Sequence, residues 1–479
     1  FCPFILQYAE NQIMPNRPER IKGKKVAILG MARSGLALAR LVKDFGGVPF
    51  VSDQKPASAL TAPIAELEKL GVAYETGGHT SACWEGKDFL VISPGVFKDA
   101  PILREAQTRA LPVFGEVEVA FWLCSSPLAA VTGSNGKTTT TALLGTIFSS
   151  SGYTSKVAGN IGLPFSAVVL EKKNYQMIVL EISSFQLEYI EEFAPELSVF
   201  LNLSPDHLDR YASYEEYRAA KLRVFENFGV GKKAVVNYDD SFLRDYARNL
   251  KGDVYYFSMK EKVPQGAYLE GETLTFVSPQ GKIPLVKKEE LPIKGPHNCA
   301  NALAAATAAL AWGLPKEGAV KGLLSFKGVP HRLEPVAEVN GVKFINDSKA
   351  TNVDSVWYAL QSVNPPIVWI AGGKDKGGSY APLRELFPNR VKGMVLIGQA
   401  RPLIRKALED LAPAYETKTL PEAVEKAYEL AVEGDTVLLS PACSSFDMFS
   451  NFEERGETFK KSVMELKRKM EKKWKTAGA

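Results

Sequence analysis

Short apolar runs alternate with helix-forming stretches along most of this 479-residue chain, and this alternation limits the possible folds more than any other feature. The runs are KKVAILG, VPFVSD, DFLVISPG, PLAAVTG, MIVLEIS, LSVFLNLS, KAVVNYDD, VKFINDS, PIVWIAGG, GMVLIGQ and DTVLLSP. Such alternation predicts an α/β protein with mostly parallel sheets. Ligands of these sheets gather at the carboxyl ends of the strands, so the polar residues that end the runs are the first candidates for a site.

The alternation is interrupted at 115–126 and again at 326–331, where FKGVPH brings Gly and Pro together. The chain length suits about three domains. We therefore expect three domains, at 1–115, 116–328 and 329–479. Segment 254–288 mixes short polar and apolar pieces with Gly and Pro, which indicates antiparallel β structure.

Composition argues against several classes of protein. The net charge of +4 is small for this length and disfavours nucleic acid as a partner. The longest apolar run, 302–314, is too short to cross a membrane. The five cysteines form no C-x-x-C pair, so we expect neither a disulfide framework nor a zinc site, and a reducing cytoplasm fits. The N-terminus lacks the basic region of a signal peptide, and we expect about the first 20 residues to be peripheral.

A glycine-rich loop, VTGSNGKT, occupies 131–138 between an apolar run and a helix-forming stretch. Glycines let backbone N–H groups turn toward an anion, and the following helix adds the partial positive charge of its N-terminus. Lys137 is placed to reach terminal phosphates, and Thr138 to bind Mg²⁺. Val131 stands where a Walker loop has glycine, so the loop is the shorter G-x-x-G-K-T. A glycine turn that merely caps a helix is the less favoured alternative.

Three further residues are candidates whose alternatives stay open. Glu181 ends the run MIVLE, as a Mg²⁺-binding carboxylate does in a phosphate-loop domain, but a buried glutamate held by backbone donors fits equally well. His207, in SPDHLDRY, suits a metal ligand or proton relay, or else belongs to a helix-capping segment. Lys221 lies four residues after Tyr217 on a predicted helix, where periodicity alone indicates a solvated lysine.

The stretch ILGMARSG, after the first apolar run, is like a dinucleotide-binding turn, and Asp53 follows the second run near the expected spacing. Ala32 replaces the second glycine of that pattern, so the motif is weak and NAD is not implied. A strand–loop–helix unit here still suits a pyrophosphate, with Arg33 and Ser34 beside it. Lys374 and Lys376 lie on another glycine-rich loop, IAGGKDKGG, which is a second candidate for anion binding.

Together these stretches resemble the Mur ligase family, the ATP-dependent amide-forming enzymes of peptidoglycan precursor synthesis. From about residue 23 onward the chain contains, in order, TGSNGKTT, GNIGLP, LEISSFQLE, DHLDRY, HNCANALAA, PHRLE, INDSKATN and SPACSSFDMFSNFEERG. The last three are similar to the members that add D-glutamate to UDP-N-acetylmuramoyl-L-alanine. The D-N-P-R motif of the diaminopimelate- and lysine-adding relatives is absent.

The resemblance implies an architecture and a reaction. The architecture is a Rossmann-like N-terminal unit for the UDP end of the substrate, a central P-loop ATPase-type domain and a Rossmann-like C-terminal domain for the amino acid. The reaction uses ATP and Mg²⁺, with two ions expected, and passes through an acyl phosphate before D-glutamate attacks and ADP and phosphate are released. A cytoplasmic monomer is implied, with UDP-N-acetylmuramoyl-L-alanine and D-glutamate as its partners.

The resemblance also assigns roles to residues at matching positions. The implied catalytic residues are Lys137, Glu181, His207 and Lys221. The implied metal ligands are Thr138, Glu181, His207 and Lys221, the last as a carbamate. ATP would contact Gly133, Asn135, Gly136, Lys137, Thr138, Thr139, Asn298, Arg332 and Asp347. The UDP substrate would contact Arg33, Ser34, Asp53, Asn160 and Gln186, and D-glutamate would contact Lys349, Thr351, Lys376, Ser445 and Phe452.

Three alternatives remain at this point. One is a nucleotide-sugar oxidoreductase, which the broken glycine pattern of ILGMARSG disfavours. A sibling ligase that adds another amino acid, or a folylpolyglutamate-type enzyme, shares the ATP-binding core, although the C-terminal serine–phenylalanine segment and the N-terminal unit argue against both. A P-loop switch NTPase is an alternative from another class. The chain has no N-K-x-D motif, which counts against a GTPase.

Overall fold

The computed structural model describes residues 16–477 apart from 94, 95, 97, 207–209, 376 and 378, with side chains to residue 471. Its strands form three sheets, of five, nine and six strands. The chain makes two compact units. The first contains the residues up to Leu291 together with Ala300–Phe326, and the second contains Pro292–Cys299 and the segment from Lys327 onward.

The first sheet has five parallel strands in the order β3-β2-β1-β4-β5. They are β1 (Lys25–Leu29), β2 (Val48–Asp53), β3 (Ala73–Thr76), β4 (Phe89–Ile92) and β5 (Val113–Gly115). Helices span Arg33–Asp44, Thr61–Leu70 and Pro101–Thr108, and a 3-10 turn spans Ser81–Cys83. The central strands β1 and β4 are apolar and almost wholly buried, as expected for a sheet with helices on both faces.

The second sheet has nine strands in the order β14-β13-β12-β11-β10-β9-β6-β8-β7. They are β6 (Leu128–Thr132), β7 (Ser155–Gly159), β8 (Met177–Glu181), β9 (Leu197–Phe200), β10 (Lys233–Asn237), β11 (Asp253–Ser258), β12 (Gly266–Glu270), β13 (Thr273–Ser278) and β14 (Gly281–Lys287). Its helices span Glu116–Trp122, Lys137–Ser150, Phe165–Leu170, Ser184–Leu187, Tyr214–Leu222, Ser241–Ala247, Pro296–Trp312 and Lys316–Ser325.

The prediction of antiparallel structure across 254–288 is wrong for its first strand. β11 pairs in parallel with β10, with Val254 beside Ala234, and β12 pairs in parallel with β11. The helix Ser241–Ala247 carries the chain back between β10 and β11, which a parallel pair requires. Within segment 254–288, the antiparallel pairs are β12 with β13 and β13 with β14, because connections of two residues join these strands.

The third sheet lies in the second unit and has six strands in the order β15-β16-β20-β17-β18-β19. They are β15 (Glu334–Val339), β16 (Val342–Asn346), β17 (Ile367–Gly372), β18 (Val391–Ile397), β19 (Ala414–Glu416) and β20 (Thr436–Leu439). Only β15 and β16 pair antiparallel. Helices span Val353–Ser362, Arg401–Leu408, Leu420–Leu430 and Phe452–Ala477, and separate apolar clusters form on the sheet.

The first two sheets share one apolar core, which the helix Glu116–Trp122 connects. The Trp122 ring meets Phe114 edge to face, with centroids 4.8 Å apart. Glu118 is fully buried in this helix. Its carboxylate accepts the indole N–H of Trp122 at 2.7 Å and the backbone N–H groups of residues 191–193 at 2.8–3.0 Å. One carboxylate therefore anchors the connecting helix to the loop that precedes β9.

Replacing Glu118 with leucine is expected to lower the free energy of unfolding by at least about 3 kcal/mol, because the buried N–H donors of Trp122 and Phe193 lose their acceptor. Urea unfolding followed by tryptophan fluorescence measures this change. The control is Glu105→Leu, since Glu105 forms only an exposed pair with Arg109 and its loss costs about 0–1 kcal/mol. Equal unfolding midpoints for the two variants would contradict the anchoring role.

Candidate active site

The glycine-rich loop joins β6 to the helix Lys137–Ser150, as predicted. Gly136 precedes the helix with φ +83°, a left-handed conformation that glycine adopts without strain. A Cβ atom on Gly136 would lie 2.3 Å from Oδ1 of Asn301, and one on Gly133 would lie 3.0 Å from Cβ of Leu201. The loop therefore needs glycine at Gly136, and it has little room for a side chain at Gly133.

Residues beside the loop fix its backbone. The backbone N–H groups of Ser134 and Asn135 donate to the carbonyl oxygen and to Oδ1 of Asn202, at 3.0 and 2.8 Å. Oγ of Ser134 also lies 3.0 Å from the hydroxyl of Tyr217. The sequence-based assignment of site residues missed Asn202 and Tyr217. The available signal was the position of Asn202 just after β9, since ligands of parallel sheets gather at the carboxyl ends of the strands.

Two lysines converge on one carbonyl group of the loop. Nζ of Lys137 donates to the carbonyl oxygens of Gly133 and Ser134, at 2.8 Å in each case. Nζ of Lys221 donates to the same Gly133 oxygen at 2.8 Å, and only 1% of Lys221 is exposed. Burial, with the charge of Lys137, lowers the pKa of Lys221 well below its ordinary value. The solvated position that helical periodicity indicated for Lys221 is therefore wrong.

Glu181 is the last residue of β8 and is buried, with 1% exposed. Its Oε1 accepts a hydrogen bond from Nδ2 of Asn160 at 2.8 Å, whereas its Oε2 has no hydrogen-bond partner. Lys221 and Glu181 interact electrostatically. The carboxylate and the buried amine thus belong to one site at the carboxyl ends of the parallel strands.

This site fits a divalent cation. A buried carboxylate oxygen without a donor is costly unless a cation compensates it, and Oε2 of Glu181 is such an atom. Thr138, in the first turn of the helix after the loop, adds a hydroxyl group. Oxygen ligands of these kinds are the ones that Mg²⁺ prefers. His207, another predicted ligand, lies outside the described residues.

The predicted UDP-binding residues of the first sheet lie around the turn after β1. Oδ2 of Asp53, at the end of β2, accepts the backbone N–H of Met31 at 2.8 Å. Arg33 donates to the carbonyl oxygen of Gly162 at 3.3 Å, and Ser34 is the next residue of the same helix. The first sheet and the GNIG loop of the second sheet therefore meet here, and Gly162 lies two residues after Asn160 of that loop.

Gln186 has a structural contact as well as a predicted substrate contact. Its Oε1 accepts hydrogen bonds from the backbone N–H and the hydroxyl of Ser183, both at 3.0 Å, and this capping box begins the helix Ser184–Leu187. The side-chain amide N–H₂ is then the part of Gln186 that suits a substrate.

In the second unit, Asp347 follows β16 and is completely buried. Its carboxylate accepts the hydroxyl of Ser440 at 2.9 Å and the backbone N–H of Leu333 at 3.2 Å. Burial raises the pKa of Asp347 to about 6, although the Arg332 charge acts in the opposite direction. Asn298, at the start of the helix Pro296–Trp312, donates to a backbone carbonyl of the same unit at 2.9 Å.

The predicted D-glutamate residues also lie in the second unit. The Lys349 ammonium is 5.2 Å from the ring centroid of Phe452, and Oγ of Ser348 donates to the Phe452 carbonyl oxygen at 2.8 Å. These contacts bring the loop after β16 to the start of the last helix. Thr351 is partly exposed on the same loop.

The loops after β17 and β20 are joined by backbone hydrogen bonds. Lys374 and Ser444 donate to each other's carbonyl oxygens at 2.9 and 3.1 Å. This pairing fixes the segment that contains Ser445, which is buried. Lys376 lies outside the described residues.

Replacing Gly136 with alanine is expected to lower kcat/KM for ATP by about 100-fold, because the loop must move to relieve the contact with Asn301. Gly152→Ala is the matched control. Gly152 has φ +84° near the other end of the same helix, and its Cβ would meet nothing within 4 Å. Both variants carry left-handed strain of about 1–2 kcal/mol, but only Gly136→Ala should weaken ATP use in a steady-state assay. Equal ATP kinetics for the two would contradict the loop assignment.

Comparison with known proteins identifies the family. Models of Mur ligase domains match the chain in order: a MurD-like N-terminal domain at 24–115, the middle domain at 131–309 and the glutamate ligase domain at 331–443. The UDP-N-acetylmuramoylalanine–D-glutamate ligase of Thermoanaerobacter pseudethanolicus is 44% identical over 457 residues, which are 94% of this chain and 100% of that protein. The chain belongs to the Mur ligase family. It is an ATP-dependent ligase of the acid–amino-acid type.

Two further Mur ligases support this assignment. The ligase of the same name from Geobacter sp. strain M21 is 43% identical, and the alignment covers 92% of this chain and 98% of that protein. The solved structure of UDP-N-acetylmuramate-alanine ligase MurC from Thermotoga maritima is 21% identical, with a TM-score of 0.59 over 93% of this chain and 100% of that one. The structural likeness shows the fold, and the three-domain α/β prediction is confirmed. Among the described helices, none is long and apolar enough to span a bilayer.

Proposed function

We propose that this enzyme joins D-glutamate to UDP-N-acetylmuramoyl-L-alanine, with ATP converted to ADP and phosphate, in the synthesis of peptidoglycan precursors. The observation that carries the proposal is the full-length match to ligases named for that reaction, at 44 and 43% identity. The C-terminal segment SPACSSFDMFSNFEERG adds support from the sequence. We place the domain boundaries at 1–115, 116–328 and 329–479, and the enzyme as a monomer in the cytoplasm.

The L-alanyl carboxylate is a poor electrophile, so it must be activated before an amine can attack it. An oxygen of the L-alanyl carboxylate attacks the γ-phosphorus of ATP, the bond to ADP breaks, and an acyl phosphate forms. The amine of D-glutamate then attacks the acyl carbon, loses a proton, and inorganic phosphate leaves. Because the substrate carboxylate, the ATP phosphates and D-glutamate are all anionic, the site must supply concentrated positive charge. Exclusion of water from the acyl phosphate is the second requirement.

The loop at 133–139 would hold the ATP phosphates through backbone N–H groups at the start of the helix Lys137–Ser150. Lys137 now donates to two loop carbonyls, and its ammonium would transfer those contacts to phosphate oxygens. Buried Lys221 sits against the same loop at Gly133. This convergence supports ATP binding at the end of β6. In the second unit, Asn298, Arg332 and Asp347 would contact the nucleotide.

Lys221 is proposed to carry a carbamate. A carbamate forms when an uncharged amine attacks CO₂, and burial favours the uncharged amine because it lowers the pKa of Lys221. The modification would turn the buried amine into an anion beside Glu181, and the proton of the amine would be lost. It would also remove the repulsion between Lys221 and Lys137 at the loop.

Mg²⁺, when bound, neutralises charge on the phosphate and carboxylate oxygens and so makes the phosphorus easier to attack. Two ions are proposed. Thr138, Glu181, His207 and carbamylated Lys221 would hold them. The unpaired Oε2 of Glu181 supports this placement, and the hydrogen bond from Asn160 orients the carboxylate through its other oxygen.

The remaining residues would bind the two acceptor substrates. Arg33, Ser34 and Asp53 would hold the UDP end, with Asn160 and Gln186 nearer the reacting carboxylate. Lys349, Thr351, Lys376, Ser445 and Phe452 would bind D-glutamate. The contact between Lys349 and Phe452 supports a pocket that pairs a cation with an apolar wall.

The proposal is tested by phosphate release from ATP and Mg²⁺ with UDP-N-acetylmuramoyl-L-alanine, adding D-glutamate, L-glutamate, L-lysine or meso-diaminopimelate in separate reactions. Release that depends on D-glutamate alone is expected. Release with another amino acid would keep the ligase chemistry and move the enzyme to a sibling step. Release that ignores every acceptor would contradict ligase activity and favour a switch NTPase.

A further inference from the structure

A second cluster of metal-binding groups lies in the first sheet. It contains the carboxylate of Glu75, the imidazole of His79 and the thiol of Cys83. One ligand atom from each of the three lies within 4.8 Å of the others, and Cys83 is completely buried. The proposed reaction uses none of these side chains.

The three residues are spaced four positions apart along the chain, and a turn in the local fold brings their side chains together. Glu75 lies in β3, and a turn at Gly77 and Gly78 follows, with φ +82° and +153°. This turn reverses the chain, so that His79 and the 3-10 turn Ser81–Cys83 return over the end of the strand. The cluster therefore depends on backbone conformations that glycine adopts readily.

The cluster closes around Ser52, a buried residue of β2. Oγ of Ser52 donates to Oε1 of Glu75 at 2.7 Å and lies 2.6 Å from Nδ1 of His79. Sγ of Cys83 donates to the same Glu75 oxygen at 3.0 Å. The same oxygen also accepts the backbone N–H of Thr80 at 3.0 Å. A divalent cation can take the place of the thiol proton, because carboxylate, imidazole and thiolate are all metal ligands.

We propose that Glu75, His79 and Cys83 form a Zn²⁺ site, with Ser52 Oγ or water at the fourth position. A thiolate with an imidazole and a carboxylate suits Zn²⁺ and not Mg²⁺, which takes oxygen ligands. Zn²⁺ bonds of about 2.0–2.3 Å put tetrahedral ligand atoms roughly 3.3–3.7 Å apart, so side-chain rotation closes the trio around an ion. On binding, the Cys83 S–H bond breaks, an S–Zn bond forms and one proton goes to solvent.

The site differs from the sequence pattern that usually marks zinc. The cysteines of this chain form no C-x-x-C pair, and only one of the three proposed ligands is a cysteine. In a C-x-x-C pair the short spacing places two ligands close together. Here the turn after β3 instead places His79 and Cys83 close to Glu75. Because Ser52 precedes Asp53, which accepts the Met31 N–H, bound Zn²⁺ would hold the strand ends beside the turn after β1.

The test uses the full chain, stripped of metal by a chelator and then kept in excess Mg²⁺. Co²⁺ is the probe, because a cobalt–thiolate bond gives an ultraviolet charge-transfer band and tetrahedral Co²⁺ gives strong visible bands. One equivalent of Co²⁺ should produce both, and Zn²⁺ should displace it. Cys83→Ser should abolish the charge-transfer band. Cys124→Ser should retain it, because Cys124 is a buried free cysteine in another part of the chain.

A second variant covers the case in which Cys83→Ser does not fold. His79→Gln changes a partly exposed side chain and should weaken Zn²⁺ binding at least about 10-fold, as measured by competition with a chromogenic chelator. No stoichiometric binding by the wild-type chain, a charge-transfer band that survives in Cys83→Ser, or unchanged affinity in His79→Gln would each overturn the proposal. The cluster would then be a hydrogen-bonded network only.

Discussion

Replacing Glu181 with glutamine is expected to lower kcat of ligation by about 100–1,000-fold, the loss typical of removing one preorganised electrostatic group. Glutamine keeps an oxygen for the Asn160 hydrogen bond but removes the charge at the unpaired Oε2 position. The loss should come with a higher Mg²⁺ concentration for half-maximal rate. Steady-state phosphate release across a Mg²⁺ titration measures both effects.

Glu196→Gln is the matched control for Glu181→Gln. Glu196 is also a buried glutamate, directly before β9, but it accepts the backbone N–H of Leu128, where β6 begins. It therefore lies at the opposite end of the parallel strands. This control should lower the melting temperature and leave the Mg²⁺ dependence unchanged. If Glu181→Gln kept wild-type kcat and Mg²⁺ dependence, the metal assignment would be wrong.

Replacing Lys221 with methionine is expected to lower kcat by about 100–1,000-fold as well, since methionine fills the buried space without an amine or a carbamate. The wild-type enzyme should also lose activity in CO₂-depleted buffer and regain it with bicarbonate. With ¹³C-labelled bicarbonate, wild type should show a carbamate resonance that Lys221→Met lacks. Carbamylation needs the uncharged amine of Lys221, and burial favours that form because it lowers the pKa of Lys221.

Lys232→Met is the control for the lysine variant. Lys232 is another lysine whose pKa burial lowers, and its ammonium donates to the carbonyl oxygen of Ala194, away from the phosphate loop. This variant should keep the CO₂ dependence and the resonance of wild type. A wild-type enzyme that is indifferent to CO₂ and shows no carbamate resonance would contradict the modification, though not ATP binding by the loop.

The sequence predicts the fold well because its signals are local. Each of the predicted apolar runs contains a strand, and the glycine-rich loop joins a strand to a helix where expected. The antiparallel prediction failed at β11 because composition does not show strand direction. Direction follows from the connection, here the helix Ser241–Ala247, whereas the two-residue connections further on do give antiparallel pairs.

The candidate site is predicted less completely, because its contacts join distant parts of the chain. Lys221 shares a helix face with Tyr217, and both are buried against the phosphate loop, but periodicity does not reveal what a face packs against. Asn301, against Gly136, follows the loop by 165 positions. The contacts of such residues are known only from the structure, in which the sheet brings their helices and loops together.

The most direct test of ligase chemistry follows both products of one reaction. UDP-N-acetylmuramoyl-L-alanine labelled with ¹⁸O in its alanyl carboxylate is incubated with ATP, Mg²⁺ and D-glutamate, and the nucleotide product and the phosphate are analysed by mass spectrometry. We expect the nucleotide to gain one glutamyl residue and each released phosphate to carry one ¹⁸O atom from the carboxylate. Phosphate without label, or a nucleotide of unchanged mass, would contradict amide formation through an acyl phosphate.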